Sequence, residues 1–173
     1  MNTIRKLLGL GEPDKHARGD DTETVQRISA QLGSMPVEEA RYIASFAYVL
    51  ARVAQADLLI DERETTEIKQ RVASLSDLSE DSCTLVVEIA KSQADLTGGT
   101  ENYVVTRQFR KISNSGQRNK LLACAFAVAA SNGEISAEES TELTLIGEEL
   151  GFTRAEVNAF RSQHRDTLSV LKK

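Results

Sequence analysis

The fold is indicated by a stretch that occurs twice in the chain, as VAQADLLIDERE at residues 53–64 and as VAASNGEISAEE at residues 128–139. In each copy an apolar helical segment ends, a short turn carries an isoleucine (Ile60 or Ile135), and an acidic amphipathic segment begins. Each copy therefore predicts a helix–loop–helix unit, and two such units can bury both apolar faces by packing against each other.

Helical periodicity extends well beyond the two copies, whereas the alternating patterns of strands are rare. Apolar residues recur at helical spacing in segments that begin near residues 22, 36, 61, 79, 101, 116, 136 and 153. We expect the segment from about 116 to 131 to be the central helix, because its second half is almost entirely apolar. The sequence therefore predicts an all-α protein, a compact bundle of about seven to eight helices.

The length of 173 residues and the net charge of −5 are ordinary for one globular domain. We expect an N-terminal arm and linker over residues 1–20 and a single helical domain over residues 21–173. No apolar run approaches the ~20 residues that a membrane-spanning helix needs. Cys83 and Cys124 lie in apolar helical segments, which favours buried free thiols in a reducing compartment. These features predict a cytoplasmic protein.

The doubled turn, together with TRQFR at residues 106–110 and LLACAFAVAA at residues 121–130, resembles the TerB (tellurite-resistance B) family over residues 36–165. The resemblance implies an all-α bundle, a bacterial cytosolic setting, and a link to tellurite and related metal or oxidative stress resistance. It also implies divalent-cation binding at acidic sites and membership of a larger membrane-associated complex. The turns depart from the family's Asp-Gly pattern, because this chain has Asp57-Leu58 at that place in the first copy and Asn132-Gly133 in the second.

Oxygen-bearing side chains gather at both turns, and such ligands suit Ca²⁺ or Mg²⁺ rather than zinc or copper. An EF-hand is excluded, because Val53, Gln55, Val128 and Ala130 fall at loop positions that require carboxylates. The candidate ligands are Asp57, Asp61 and Glu64 at the first turn and Asn132, Glu134, Ser136 and Glu139 at the second.

Helix capping is the alternative interpretation of the same residues. Ser136 with Glu139, and Asp61 with Glu64, have the spacing of a capping box, in which each side chain bonds a free N–H group at the start of the helix. Asp57 and Asn132 are less well explained by capping, although either could hold its turn by bonding the backbone. The sequence leaves a divalent-cation site and purely structural turns both open.

Charge is unevenly distributed in the second half of the chain. No acidic residue occurs between Asn102 and Gly133, whereas residues 134–149 contain six glutamates and neither lysine nor arginine. Such polarised charge suits docking on a protein partner or an anionic membrane surface. The net acidic charge and the inward position of Phe109 disfavour nucleic-acid binding. The candidate partner-binding residues are Arg107, Arg110, Lys111, Arg118, Lys120, Glu138 and Glu142.

No catalytic pattern is recognisable in the sequence. His16 and His164 have no partner at the spacing of a metal site or a catalytic triad, and Gly98-Gly99 lacks the Lys-Ser/Thr of a phosphate loop. We therefore expect a non-enzymatic interaction or scaffold module, with a protein partner and no identified small-molecule substrate. Its expected location is the cytoplasm or the inner face of the membrane. The alternative function is a divalent-cation (Ca²⁺ or Mg²⁺) binding module.

Overall fold

The computed structural model describes residues 6–8, 22–54, 62–93 and 100–169. The described residues form no β-strand, which confirms the all-α prediction. A 3₁₀ turn, Arg165–Thr167, follows the last helix. The helices are α1 (Thr22–Ser34), α2 (Val37–Ala54), α3 (Glu62–Leu75), α4 (Glu80–Gln93), α5 (Thr100–Ile112), α6 (Ser115–Ala129), α7 (Ala137–Leu150) and α8 (Arg154–Gln163).

Three consecutive helices begin with a capping box, in which the cap side chain and the side chain three residues later each bond the other's backbone N–H. Ser136 with Glu139 opens α7, and Thr153 with Glu156 opens α8, as their spacing predicts. Asn114 with Gln117 opens α6 in the same way. Gly151 ends α7 with a φ of 94°, a left-handed conformation that glycine adopts without strain.

The central helix of the bundle is α2, not α6 as the apolar run predicts. Every residue from Ile43 to Val53 is buried, because α2 packs against α1, α4, α5, α6 and α7. Helix α6 is also largely buried, against α2, α3, α7 and α8. The apolar composition of α6 identified a buried helix correctly, but composition does not show how many neighbours surround it.

The two helix–loop–helix units, α2–α3 and α6–α7, pack against each other. Helix α2 contacts both α6 and α7, and α3 contacts α6. Helix α5, which lies between the units in sequence, packs on α2 and on α7. This arrangement buries the apolar faces of both units in one core and leaves the outer face of α5 to solvent.

Two segments outside the main helices also contact the core. Leu8, in the predicted N-terminal arm, is only 1 % exposed, and Leu7 packs against the core beside it. Near the other terminus, the Ile135 N–H donates to the Thr167 carbonyl at 2.7 Å and the Ser169 N–H donates to the Ile135 carbonyl at 3.0 Å. These hydrogen bonds therefore hold the C-terminal segment against the turn between α6 and α7.

Both cysteines are buried and free, as the sequence predicts. Burial raises the pKa of the Cys124 thiol to about 12 and also raises the pKa of Cys83. Neither thiol therefore ionises appreciably at neutral pH, which suits a packing role better than a reactive one.

Candidate functional site

The five basic residues singled out in the sequence lie together around the end of α5 and the start of α6, and we call them the basic surface. Arg107, Arg110 and Lys111 are exposed on the last turns of α5, and Arg118 and Lys120 are half-buried on the first turns of α6. The structure brings Arg118 against Arg110 of α5, whereas Lys120 pairs with Asp77, which precedes α4.

The orientation of α5 follows from its apolar residues. Val105, Thr106 and Phe109 are buried at helical spacing, and Phe109 packs its ring on Tyr42 and Phe46. Because these residues take the inner face of the helix, the arginines and the lysine of α5 must point outward. The predicted inward position of Phe109 is confirmed.

Hydrogen bonds hold the basic surface in place. Arg118 Nη1 donates to the carbonyls of Arg110 and Ser113, at 3.3 and 3.2 Å, and so satisfies acceptors at the C-terminus of α5. Arg107 Nη1 donates to the Tyr103 hydroxyl at 3.1 Å, and its guanidinium lies over the Tyr103 ring. Lys120 forms an ion pair with Asp77.

Most of the basic surface lacks a negative partner within the molecule. In the part of the chain that the structure describes, Arg107, Arg110, Lys111 and Arg118 form no ion pair, and only Lys120 does. The acceptors of Arg107 and Arg118 are neutral hydroxyl and carbonyl oxygens, so these hydrogen bonds leave the positive charges of both residues uncompensated. A concentration of uncompensated charge produces a local positive potential that can steer and hold an anionic partner.

The acidic stretch at residues 134–149 behaves differently, because its carboxylates are largely engaged inside the protein. Glu142 and Glu149 both bind the buried guanidinium of Arg52, at 2.7 and 2.6 Å. Glu148 pairs with Arg154 at 2.9 Å. Of the two acidic residues predicted to bind a partner, Glu142 therefore lies in an internal ion pair, whereas Glu138 is exposed.

Arg52 is a site residue that the sequence analysis missed. Its side chain is 2 % exposed and also donates to the Thr106 hydroxyl and the Asn102 carbonyl, so it links α2 to both α5 and α7. The available signal was an arginine within the apolar run of α2, since a fully buried arginine must find acceptors. Its partners, 90 and 97 positions away, could not be named from sequence.

The second acidic turn is organised by bonds within the turn itself. The Glu134 N–H donates to Asn132 Oδ1 at 2.9 Å, and Gly133 adopts a φ of 84°. The Ser136 N–H donates to Glu139 Oε2 at 2.8 Å, and the Glu139 N–H donates to Ser136 Oγ at 3.1 Å. These bonds account for Asn132, Ser136 and Glu139 as turn and cap residues. They are the hydrogen bonds that the capping interpretation predicts.

The candidate cation ligands do not converge within the described residues. No group of three or more His, Cys, Asp or Glu side chains there could hold a metal ion. Asp57 and Asp61, at the first turn, lie outside the described residues, and Glu64 is described only as a position in α3. The predicted cation site at the first turn therefore stays a prediction.

The basic surface and the second acidic turn lie at opposite ends of α7. The Arg110 guanidinium lies so close to Gly151, at the C-terminus of α7, that a Cβ there would approach its Cζ at 2.7 Å. The acidic turn directly precedes the N-terminus of the same helix, which is 14 residues long, a length of roughly 20 Å. Both placements also suit the helix dipole, which favours cations at its C-terminal end.

Two exposed apolar side chains border the basic surface, and the sequence analysis missed them too. Tyr103 and Val104, on the first turns of α5, are 48 % and 41 % exposed. Helical spacing could have indicated their outward position, because they lie out of phase with Val105 and Phe109. Together with Arg107 they form a mixed aromatic, aliphatic and basic patch.

His164 lies just beyond α8, with its ring stacked on Phe126 at a centroid distance of 5.8 Å. Burial, together with the positive charge of Arg71, lowers the pKa of His164 below its ordinary value of 6.5. The lowered pKa favours the neutral ring, which is half-buried and stacks on the core residue Phe126. His16 lies outside the described residues.

Comparison with known proteins places most of the chain in one family. A family model described as tellurite resistance protein TerB matches residues 42–162, which include most of the first helix–loop–helix unit, all of the second, and the basic surface. No curated protein and no solved structure matches the chain. In the described ranges, no helix is long and apolar enough to cross a membrane.

Proposed function

Because the chain belongs to the tellurite resistance protein TerB family, we propose that it is a non-catalytic interaction module that docks a protein partner through its basic surface. Its cellular role would be in resistance to tellurite or to related metal and oxidative stress, as the description of the family suggests. The proposed setting is the cytoplasm, with a position at the inner face of the membrane if the partner belongs to a membrane-associated complex.

The observation that carries this proposal is the unequal compensation of charge. The carboxylates of Glu142, Glu148 and Glu149 are paired with arginines of the same chain. The basic surface keeps four cations without an ion pair among the described residues. An external acidic partner would supply the missing negative charges. The basic surface is therefore favoured over the acidic stretch as the docking site.

The residues beside these charges favour a protein partner over a lipid surface. Exposed Tyr103 lies against Arg107, and Val104 adds an exposed aliphatic contact. Aromatic residues and arginine contribute most of the binding energy at protein interfaces. The five lysines and arginines of the basic surface also fall within the range of about four to eight by which polybasic clusters recognise anionic lipid, so charge alone does not separate the two partners. The exposed aromatic and aliphatic side chains on α5 favour the protein.

The experiment is site-specific photo-crosslinking in cells that express the full chain. A photoreactive amino acid at position 104 is expected to capture a discrete protein, and the Arg107→Glu/Lys111→Glu variant is expected to lose that product. The matched control is Lys91→Glu/Arg165→Glu, which reverses two exposed cations outside the basic surface and makes the same change in net charge. The control should keep the crosslink.

Two results would contradict the proposal. One is an equal crosslink from the Arg107→Glu/Lys111→Glu variant, which would show that the basic surface does not contribute. The other is the absence of any protein crosslink together with flotation of the purified chain on phosphatidylserine vesicles, lost in the same variant. That second outcome would assign the surface to membrane lipid.

A further inference from the structure

A groove between α7 and α8, which shares no lining residue with the basic surface, combines apolar and polar side chains. Its volume is about 470 Å³, within the range of small-molecule sites. Ser140, Thr144 and Leu145 line it from α7, and Val157, Asn158 and Arg161 line it from α8. The groove thus combines an apolar wall with hydrogen-bonding groups on both helices.

Arg161 holds an uncompensated positive charge in a defined orientation. Nη2 donates to Thr144 Oγ1 at 2.6 Å and to the Ser140 carbonyl at 3.2 Å, and Nη1 donates to Asn158 Oδ1 at 2.9 Å. All three acceptors are neutral, and in the described part of the chain the guanidinium has no carboxylate partner. Nε is buried and makes no hydrogen bond there. One Nη1 N–H is left to donate to a ligand carboxylate, because both Nη2 N–H groups are in use and Nε is buried.

The remaining polar groups of the groove increase its preference for an anion. Glu148 is the acidic residue of the lining, and Arg154 at the rim already neutralises it at 2.9 Å. Asn158 uses its oxygen to accept from Arg161, which leaves its amide nitrogen as a donor. The lining therefore carries one net positive charge, located on Arg161.

The apolar part of the groove determines the chemistry of the ligand beyond its charged group. Leu145 is 45 % exposed and is the apolar side chain that a ligand can cover, because Val157, although it lines the groove, is only 1 % exposed. A short aliphatic chain laid on Leu145 would remove apolar surface from water, with its charged end at Arg161. A single negative charge matches the single uncompensated arginine better than the charge of about −1.5 to −2 on a phosphate monoester does.

We propose that this groove binds a small monocarboxylate with a short aliphatic chain, anchored by Arg161. The ligand's carboxylate accepts hydrogen bonds from Arg161 and Asn158, and its chain lies on Leu145. This site is separate from the basic surface, so it does not rest on the function proposed above.

The test is a titration of the full chain with hexanoate, followed by ¹H–¹⁵N correlation spectra. We expect saturable shifts at Leu145, Val157, Asn158 and Arg161, with weaker binding of acetate. Arg161→Gln is expected to weaken hexanoate binding by about tenfold or more, the usual effect of losing a charge-assisted hydrogen bond. Arg165→Gln, which removes an exposed arginine outside the groove, is the matched control and should bind as the wild type does.

A second variant keeps the test decisive if Arg161→Gln loses its fold. Leu145→Glu adds a carboxylate at a half-exposed position and should abolish hexanoate binding, whereas Val37→Glu, at an exposed apolar position elsewhere, should not. The proposal is overturned if hexanoate gives no saturable shifts in the groove, or if Leu145→Glu binds it normally. Tighter binding of inorganic phosphate than of hexanoate would overturn the assignment to a monocarboxylate.

Discussion

The guanidinium of Arg52 on α2 lies 2.6 Å from the carboxylate of Glu149 on α7, and 2.7 Å from that of Glu142 on the same helix. These two ion pairs join the first helix–loop–helix unit to the second, because α2 belongs to one unit and α7 to the other. Arg52 is almost fully buried, so water cannot replace its partners if they are lost.

Replacement of Arg52 by alanine should therefore destabilise the protein strongly. Removing one partner of a buried ion pair costs about 3–5 kcal/mol, and we expect a loss of about 3 kcal/mol because Glu142 and Glu149 retain some contact with water. The measurement is urea unfolding followed by circular dichroism. Arg107→Ala, at an exposed arginine, should change the free energy of unfolding by less than about 0.5 kcal/mol. Equal effects of the two substitutions would show that the buried pair does not stabilise the fold.

Gly147 permits the close approach of α7 and α8. A Cβ at this position would clash with Cγ2 of Val157 on the facing helix. Gly147→Ala should therefore lower the free energy of unfolding by about 1–3 kcal/mol, although alanine is the better helix former. Gly33→Ala provides the contrast, because a Cβ at that helical position meets nothing within 4 Å, and it should be neutral or slightly stabilising.

A double-mutant cycle checks the assigned cause of the Gly147 effect. If the clash with Val157 is responsible, Val157→Ala should make Gly147→Ala less damaging than it is in the wild-type background. Strict additivity of the two substitutions would contradict this explanation.

Ser136→Ala should remove the cap of α7 and cost about 1 kcal/mol of stability. The bonds between Ser136 and Glu139 need no ion, so we expect the same loss in EDTA and in millimolar Ca²⁺ or Mg²⁺. Thermal melts of the wild type, Ser136→Ala and the surface control Thr141→Ala measure this. A rise in Tm with Ca²⁺ or Mg²⁺ that both Ser136→Ala and Asn132→Ala abolish would instead support the divalent-cation module.

Protonation of His164 should lower the free energy of unfolding in mild acid. Burial and Arg71 lower its pKa in the folded state, so the unfolded chain binds a proton more readily. The contribution of neutral His164 is fully present above its ordinary value of 6.5 and is lost as the pH falls through the lower folded-state pKa. Urea unfolding between pH 7.5 and pH 5 should show a decline that is smaller in His164→Gln. An identical pH dependence in that variant would assign the effect to other groups.

The helices themselves were largely predictable from local sequence. Periodic apolar residues set most helix starts to within a residue or two, and α2 begins at Val37, directly after Pro36. The capping boxes of α7 and α8 were predictable because a cap depends on residues only three positions apart. The cap at Asn114 was missed, although its spacing to Gln117 follows the same rule.

The candidate sites were predictable only in part. Sequence identified the basic residues, because charge runs are visible without a fold. The sequence also indicates an acidic face at residues 134–149. In the structure, however, Arg52 and Arg154 neutralise Glu142, Glu148 and Glu149. Local pattern does not reveal such compensation, because the partners of Arg52 lie 90 and 97 positions away.

The sequence by itself determined the all-α fold, the two helix–loop–helix units and the inward face of α5, because these depend on periodicity and on contacts within a few residues. Only the tertiary structure decided that α2 is the central helix, that four of the five cations of the basic surface form no ion pair among the described residues, and that α7 and α8 form an open groove at Arg161. The physical reason is that burial and ion pairing depend on which distant helices meet, and the packing of the two units determines those meetings.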